Sequence, residues 1–151
     1  MRIALYQPDI AGNVGTILRL AACMGVAVDL IEPMGFAFGD RALARAGMDY
    51  AGAASVTRHA DWAAFRAAVP GRLVLATTAG AIPLPAAHFA PGDVLLFGSE
   101  GAGVPPAVHD AAGLRVRVPM RVGMRSLNVA VSCAIVPDAA QEQIGARPEG
   151  S

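Results

Sequence analysis

The stretch FGSEGAGVP, residues 97–105, directly follows the apolar run VLL at residues 94–96. An aliphatic run that ends in glycine predicts a buried strand followed by a tight turn. Val104 and Pro105 then predict the beginning of a short helix. A strand, a glycine-rich turn and a helix in this order are typical of an α/β protein, and glycine lets the backbone approach a ligand closely.

Two further loops of similar character follow. The predicted strand Leu114–Val118 ends at Pro119 and Met120, and the segment RSLN at residues 125–128 begins the next helix. Proline has no N–H, so it ends the hydrogen-bonded ladder and leaves nearby carbonyl groups available to a ligand. Ser126 is a good N-cap residue. The three loops together predict a site that holds a small polar ligand mainly through main-chain groups.

The rest of the chain alternates apolar runs with amphipathic ones, which predicts one α/β domain with a mostly parallel sheet and helices on both faces. The predicted strands are Ile3–Tyr6, Val26–Glu32, Leu73–Thr77, Val94–Phe97 and Leu114–Val118, with a weaker one at Ser55–Thr57. The predicted helices are Asn13–Met24, Asp40–Ala46, Asp61–Val69 and Ser126–Val136. The last of these is apolar all round, which predicts burial on all sides, and Pro137 is expected to break it. We therefore expect a domain over residues 1–138 and a polar tail over residues 139–151.

Composition excludes several classes of protein. Of the 151 residues 54% are hydrophobic and 16% are charged, which excludes a disordered chain. No apolar run reaches the roughly 18 residues of a membrane span, and we expect neither a signal peptide nor a membrane partner. Cys23 and Cys133 lie in apolar helical patterns and are expected to be buried thiols of a cytoplasmic protein. No zinc-ligand spacing is present, so we predict no metal site.

The charge pattern leaves two interpretations open. The formal net charge is zero, which argues against a nucleic-acid partner, but all twelve basic residues are arginine. Four of them fall in one short stretch, at Arg115, Arg117, Arg121 and Arg125. Arginine suits bidentate contacts with phosphate, so this stretch is either an RNA-binding patch or a solvated strand edge.

The segment NVGTILR at residues 13–19 begins the first predicted helix. A glycine-rich turn at a helix N-terminus favours anions. Taken alone, however, one Asn-x-Gly is a weak signal, and an ordinary capped helix start with Arg19 in solvent is the better interpretation. The glycines at residues 98–103 match neither a dinucleotide-binding motif nor a P-loop. His59, His88 and His109 are dispersed and are expected at the surface. Nothing in the sequence favours a hydrolase, because a Ser-His-Asp order and paired carboxylates are both missing.

These segments, together with IEPMGF at residues 31–36 and RAGMDY at residues 45–50, resemble the SPOUT class of RNA methyltransferases. The amino-acid sequence of these segments is most similar to the TrmL subgroup of tRNA 2'-O-methyltransferases, and the resemblance covers residues 1 to about 136. It implies a C-terminal trefoil knot, S-adenosylmethionine as the methyl donor, and a cytoplasmic homodimer. The implied reaction is 2'-O-methylation of the wobble cytidine or uridine of tRNA, with tRNA-Leu and its anticodon stem-loop as the partner.

The resemblance also assigns roles to residues. It implies a catalytic role for Asn13, Arg19, Glu100 and Asn128, while Thr16 stands where the family has a second asparagine. The residues implied to bind the cofactor are Ala76, Thr77, Gly98, Gly103, Val118, Met120, Ser126 and Leu127. Arginines implied to contact RNA are Arg41, Arg45, Arg121 and Arg125. Two alternatives stay open: a 2'-O-methyltransferase of another tRNA or rRNA site, and a non-catalytic RNA-binding domain of the same fold.

Overall fold

The computed structural model describes residues 1–37 and 55–150. Its strands are β1 (Arg2–Tyr6), β2 (Ala27–Ile31), β3 (Val56–His59), β4 (Leu73–Ala76), β5 (Ile82–Pro83), β6 (Val94–Phe97) and β7 (Leu114–Arg117). Its α-helices are α1 (Ala11–Met24), α2 (Trp62–Ala68), α3 (Pro106–Ala111) and α4 (Val129–Ile144). A 3₁₀ turn spans Leu84–Ala86. The predicted helix Asp40–Ala46 lies outside the described residues.

The strands form one sheet in the order β3-β2-β1-β6-β4-β7-β5, and every pair in it is parallel. Ile3 at the centre of the sheet lies opposite Val28 on one side and Leu95 on the other. The α/β class with a parallel sheet is therefore confirmed. Strand β5 was not predicted, because two residues ending in proline give no periodic pattern. The trefoil knot stays a prediction.

Helices cover both faces of the sheet, as predicted. On one face α1 and α4 pack against alternate strand residues, and this core includes Ile17, Leu30, Phe97 and Cys133. On the other face α2 and α3 cover the remaining strand residues through an apolar cluster around Phe65. Asp61 caps α2 as predicted, since its carboxylate accepts a hydrogen bond from the Ala64 N–H at 2.8 Å. Because both faces are covered, the loops at the carboxyl ends of the strands are left to form a site.

The last helix differs from the prediction at both ends. It begins at Val129 rather than Ser126, because the side chain of Asn128 accepts from the Ala130 N–H at 2.8 Å and so provides the cap. Pro137 does not break the helix, which continues to Ile144. Proline in a helix interior costs about 3 kcal/mol. Burial of apolar residues on both sides of Pro137 offsets this cost, and Gln141 donates to the carbonyl of Met24 at 3.1 Å.

Several side chains lie elsewhere than the sequence predicts. Cys133 is buried as expected, whereas Cys23 is exposed. His88 is exposed as expected, whereas His59 is buried with Nε2 2.8 Å from a carboxylate oxygen of Asp29. The prediction of a surface histidine at position 59 was wrong because its partner lies thirty residues away on the neighbouring strand. Over residues 1–37 and 55–150, no helix combines the length and the apolar character that crossing a membrane requires.

Candidate functional site

A cavity of about 470 Å³ lies at the carboxyl ends of β4, β6 and β7. The start of α1 and the start of α4 close its sides through Asn13 and Val129. The chain passes from β1 to β2 on one side, whereas β6 and β4 lie on the other side of β1. Such a change of direction in a parallel sheet creates a crevice in which ligands commonly bind.

The floor of the cavity is shaped by the glycine-rich turn after β6. The Ser99 N–H donates to the Gly103 carbonyl at 3.0 Å, and the Gly103 N–H donates to the Ser99 carbonyl at 2.9 Å. A Cβ atom on Gly98 would lie 2.7 Å from Gly103 Cα, closer than packed atoms approach. Gly103 has a φ of +64°, a conformation that other residues rarely adopt. Both glycines are therefore required for the tight turn that exposes main-chain groups to the cavity.

Three of the predicted catalytic residues form one hydrogen-bonded chain at the cavity. The amide nitrogen of Asn13 donates to Glu100 Oε1 at 3.2 Å, and the amide nitrogen of Asn128 donates to Asn13 Oδ1 at 3.1 Å. All three residues line the cavity, although they come from α1, the glycine-rich turn and the cap of α4. The mutual hydrogen bonds fix the orientation of both amides, which is the preorganisation that a polar site requires.

Asp9 supports this chain and was missed by the sequence analysis. The Asp9 N–H donates to Glu100 Oε2 at 2.8 Å, and its carboxylate accepts from the Gly101 N–H at 3.1 Å. The two bonds join the turn before α1 to the turn after β6, and the first of them holds the Glu100 carboxylate oxygen that Asn13 does not contact. In the sequence Asp9 lies in an ordinary proline-containing turn, so only its contact with residues some ninety positions away reveals this role.

The electrostatic environment next to the cavity is set partly by Glu100. Burial raises the pKa of the Cys133 thiol well above its ordinary value, and the negative charge of Glu100 raises this pKa further. The thiol of Cys133 therefore stays protonated at neutral pH and packs as an apolar group on α4.

All eight residues predicted to bind a cofactor line this cavity. They are Ala76, Thr77, Gly98, Gly103, Val118, Met120, Ser126 and Leu127. The structure adds wall residues that local sequence patterns could not identify, among them Ile10 before α1 and Ser132 on α4. Ser132 follows the cap of α4 by one helical turn, so it reaches the cavity only because that helix begins at Val129.

A family model described as the SpoU rRNA methylase family matches residues 1–137. The chain belongs to this family. A tRNA (cytidine(34)-2'-O)-methyltransferase from Beijerinckia indica subsp. indica is 51% identical over 147 residues, which cover 95% of this chain and 92% of that protein. A solved structure that gives insights into the 2-OH methylation of C/U34 on tRNA superposes with a TM-score of 0.91 at 36% identity and covers 97% of each chain.

A third relative was solved with its cofactor bound. An AdoMet-bound rRNA methyltransferase from Sinorhizobium meliloti superposes with a TM-score of 0.83 at 28% identity, covering 93% of this chain and 55% of that one. The resemblance inferred from the sequence motifs is thus confirmed for the family and for its methyltransferase fold.

The cavity of this SpoU family member fits S-adenosylmethionine in size and chemistry. Its volume lies within the roughly 300–1,000 Å³ of small-molecule sites. Apolar side chains such as Leu75, Phe97 and Val116 offer contact to a flat base, whereas Thr77, Ser126 and the Glu100 carboxylate offer polar contacts. Gly103 also lines the cavity, and a Cβ there would meet no atom within 4 Å, so its main chain is open to close approach by a ligand.

Three of the predicted arginines, Arg19, Arg121 and Arg125, lie within the described residues, and none of these three is part of the cavity wall. Arg19 lies on an exposed part of α1, about 120° around the helix axis from Asn13. Arg121 and Arg125 are exposed in the loop after β7, and Arg41 and Arg45 lie outside the described residues. In the same basic stretch Arg115 donates to the carbonyl of His109 and Arg117 to the carbonyl of Ala81, and Arg117 also lines the cavity.

Proposed function

We propose that this protein transfers a methyl group from S-adenosylmethionine to the ribose 2'-oxygen of cytidine or uridine at position 34 of tRNA. The observation that carries the proposal is the convergence of three loops and the Asn13–Glu100–Asn128 chain on one cavity. It is supported by 51% identity over nearly the whole chain to a tRNA (cytidine(34)-2'-O)-methyltransferase.

When bound, S-adenosylmethionine supplies an electrophilic methyl group on a sulfonium. Main-chain groups near Gly98, Val118 and Leu127 hold the donor, and the closely packed turn limits the positions it can take. Much of the rate enhancement of methyl transfer comes from aligning the 2'-oxygen with the methyl group, because reactants held in a reactive geometry have already lost translational and rotational entropy. Asn13 and Asn128 are fixed by their hydrogen bonds and orient the ribose at the mouth of the cavity.

Arg19 stabilises the charge that develops on the attacking oxygen. An arginine side chain stays protonated in proteins, which makes it a poor proton acceptor. Its guanidinium instead steadies the developing alkoxide and the neighbouring phosphate, and the proton leaves to a neighbouring group or to water. Arg19 can therefore assist the reaction without accepting the proton that the 2'-hydroxyl loses.

The RNA itself is held by arginines outside the cavity. Arg121 and Arg125 are exposed beside the loop that reaches Ser126, so they contact backbone phosphates close to the acceptor nucleotide. By analogy with the family, Arg41 and Arg45 make further contacts with phosphates.

The substrate is the anticodon stem-loop of tRNA-Leu, and the reaction takes place in the cytoplasm. The C-terminal segment forms the trefoil knot of the family.

The active unit is a homodimer formed through an apolar stripe beside the cavity. The stripe consists of Leu127, Val131 and Ile135, which recur every four residues and are 37%, 45% and 37% exposed. The prediction that this helix is buried on all sides was wrong for the single subunit, because Val131 and Ile135 are exposed in it. A second subunit on the stripe would complete that burial. Leu127 belongs to both the stripe and the cavity wall, so a subunit that covers the stripe lies next to the cavity. Since Arg19 does not line the cavity of its own subunit, its role in this proposed dimer is at the cavity of the partner subunit.

Replacing Val131 with aspartate is expected to convert the dimer into monomers, because a charge in the centre of an apolar interface is costly to desolvate. Light scattering coupled to gel filtration measures the mass of the variant. Ile82→Asp is the matched control, since Ile82 is similarly exposed at 40% but lies on the edge strand β5. A dimer that persists in Val131→Asp would contradict the assigned interface.

The reaction is tested with labelled S-adenosylmethionine and, in separate reactions, bulk tRNA and rRNA from cells that lack this modification. We expect a 2'-O-methylated pyrimidine, identified by mass spectrometry of nuclease fragments, at position 34 of leucine tRNAs. Methylation of rRNA with none in tRNA would instead support the first alternative. Binding of RNA without transfer to either substrate would support a non-catalytic domain.

A further inference from the structure

One rim of the cavity is a short segment, residues 77–81, that connects β4 to β5. Thr77 and Thr78 at its beginning line the cavity. The ends of the segment are attached to β7, because the Thr77 N–H donates to the carbonyl of Val116 at 2.9 Å and Arg117 donates to the carbonyl of Ala81. Its middle, at residues 79 and 80, is exposed.

The side chain of His109, on α3, reaches this middle part. Its Nε2 atom is 3.0 Å from the Ala79 carbonyl oxygen. On the other side of the ring, Nδ1 is 3.3 Å from Nε of Arg115, whose guanidinium also donates to the His109 carbonyl at 2.8 Å. The sequence analysis expected a lone surface histidine here, but the ring bridges the cavity rim and β7.

The hydrogen bonds define the state of the ring. An arginine Nε–H is only a donor, so Nδ1 of His109 must accept, and the single ring proton then lies on Nε2. Nε2 therefore donates to the carbonyl of Ala79. Gly80, the next residue, has a φ of +61°, which shows that the rim turns sharply at the point that His109 holds.

We propose that His109 is a positioning residue for the methyl donor. It holds the segment 77–81 in the conformation that presents Thr77 and Thr78 to the cavity. The inference rests on the proposed function of this cavity. His109 is not among the cavity-lining residues of the described chain, so it acts through the rim alone. Without it, the ligand must order the rim as it binds, which weakens affinity and leaves the chemical step intact.

Calorimetric titration of S-adenosylmethionine into the full-length protein tests this role. His109→Ala is expected to weaken binding about five-fold, the effect of one lost neutral hydrogen bond. His109→Gln is expected to restore most of the affinity, because its amide nitrogen donates to Ala79 and its oxygen accepts from Arg115. His88→Ala is the control at an exposed histidine. Turnover at saturating methyl donor should be the same in all four proteins.

Two results would overturn the inference alone: unchanged affinity in His109→Ala, or equal losses in the alanine and glutamine variants. If the wild-type protein itself does not bind S-adenosylmethionine, the proposed function fails and the inference with it. Binding of S-adenosylmethionine by the wild-type protein in the same titration therefore distinguishes failure of the His109 inference alone from failure of the proposed function.

Discussion

Replacing Arg19 with alanine is expected to lower the rate of methyl transfer about 10²–10³-fold, the range seen when one stabilising donor is removed from a reacting oxyanion. Affinity for S-adenosylmethionine should stay close to that of the wild type, because Arg19 lies outside the cavity wall of its own subunit. Arg19→Lys should also lose most turnover, since lysine keeps the charge but lacks the planar fork that binds an oxygen and a phosphate together.

Single-turnover transfer to tRNA-Leu, with the donor saturating, measures this effect. Arg147→Ala is the control, because Arg147 is an exposed arginine whose ion pairs are with Asp138 and Glu142 on the far end of α4. Transfer by Arg19→Lys near the wild-type rate would show that Arg19 does not stabilise the reacting oxygen. A parallel titration of the donor distinguishes lost chemistry from lost binding.

Replacing Asp29 with alanine is expected to lower the free energy of unfolding by about 2–3 kcal/mol. This is below most of the range for breaking a fully buried ion pair, because the Arg2 side chain is 36% exposed and water solvates the charge that is left. The Asp29 carboxylate is completely buried and accepts hydrogen bonds from Arg2 Nε at 2.7 Å and from the other end of the same guanidinium at 3.0 Å. His59 contacts it as well. The hydrogen bond to Asp29 raises the pKa of Arg2. Arginine stays protonated in proteins even without such a partner, so its charge remains when Asp29 is removed.

Thermal unfolding at one fixed protein concentration measures the effect, because a dimer's melting temperature depends on concentration. At roughly 2–4 °C per kcal/mol for a chain of this size, the melting temperature should fall by about 5–10 °C. Asp138→Ala is the matched control, since Asp138 pairs with Arg147 at the surface and contributes little. If Asp29→Ala melted as high as Asp138→Ala, the buried pair would not stabilise the fold.

The sheet and the cavity were predictable because their signals are local. Apolar runs such as Val94–Phe97 identify strands, and the glycines that follow identify a turn whatever the rest of the chain does. Since parallel strands bring their carboxyl ends to one edge, the loops after them converge, and the eight predicted cofactor residues meet there.

The features that could not be predicted depend on contacts between distant residues. Asp9 and His59 acquire partners only through folding, from residues about ninety and thirty positions away. Pro137 has a local preference to end a helix, but packing of α4 against α1 and the sheet outweighs it. For Arg19, the sequence predicts a role, whereas its place outside the cavity becomes visible only in three dimensions.

The most direct measurement compares two tRNA-Leu molecules that differ only at nucleotide 34, one with a 2'-hydroxyl and one with a 2'-deoxyribose. Each is incubated with labelled S-adenosylmethionine and the wild-type protein. The proposed function predicts one methyl group per molecule of the hydroxyl substrate and background labelling of the deoxy substrate. Equal labelling of both would contradict it, because the methyl group would then be going to another atom.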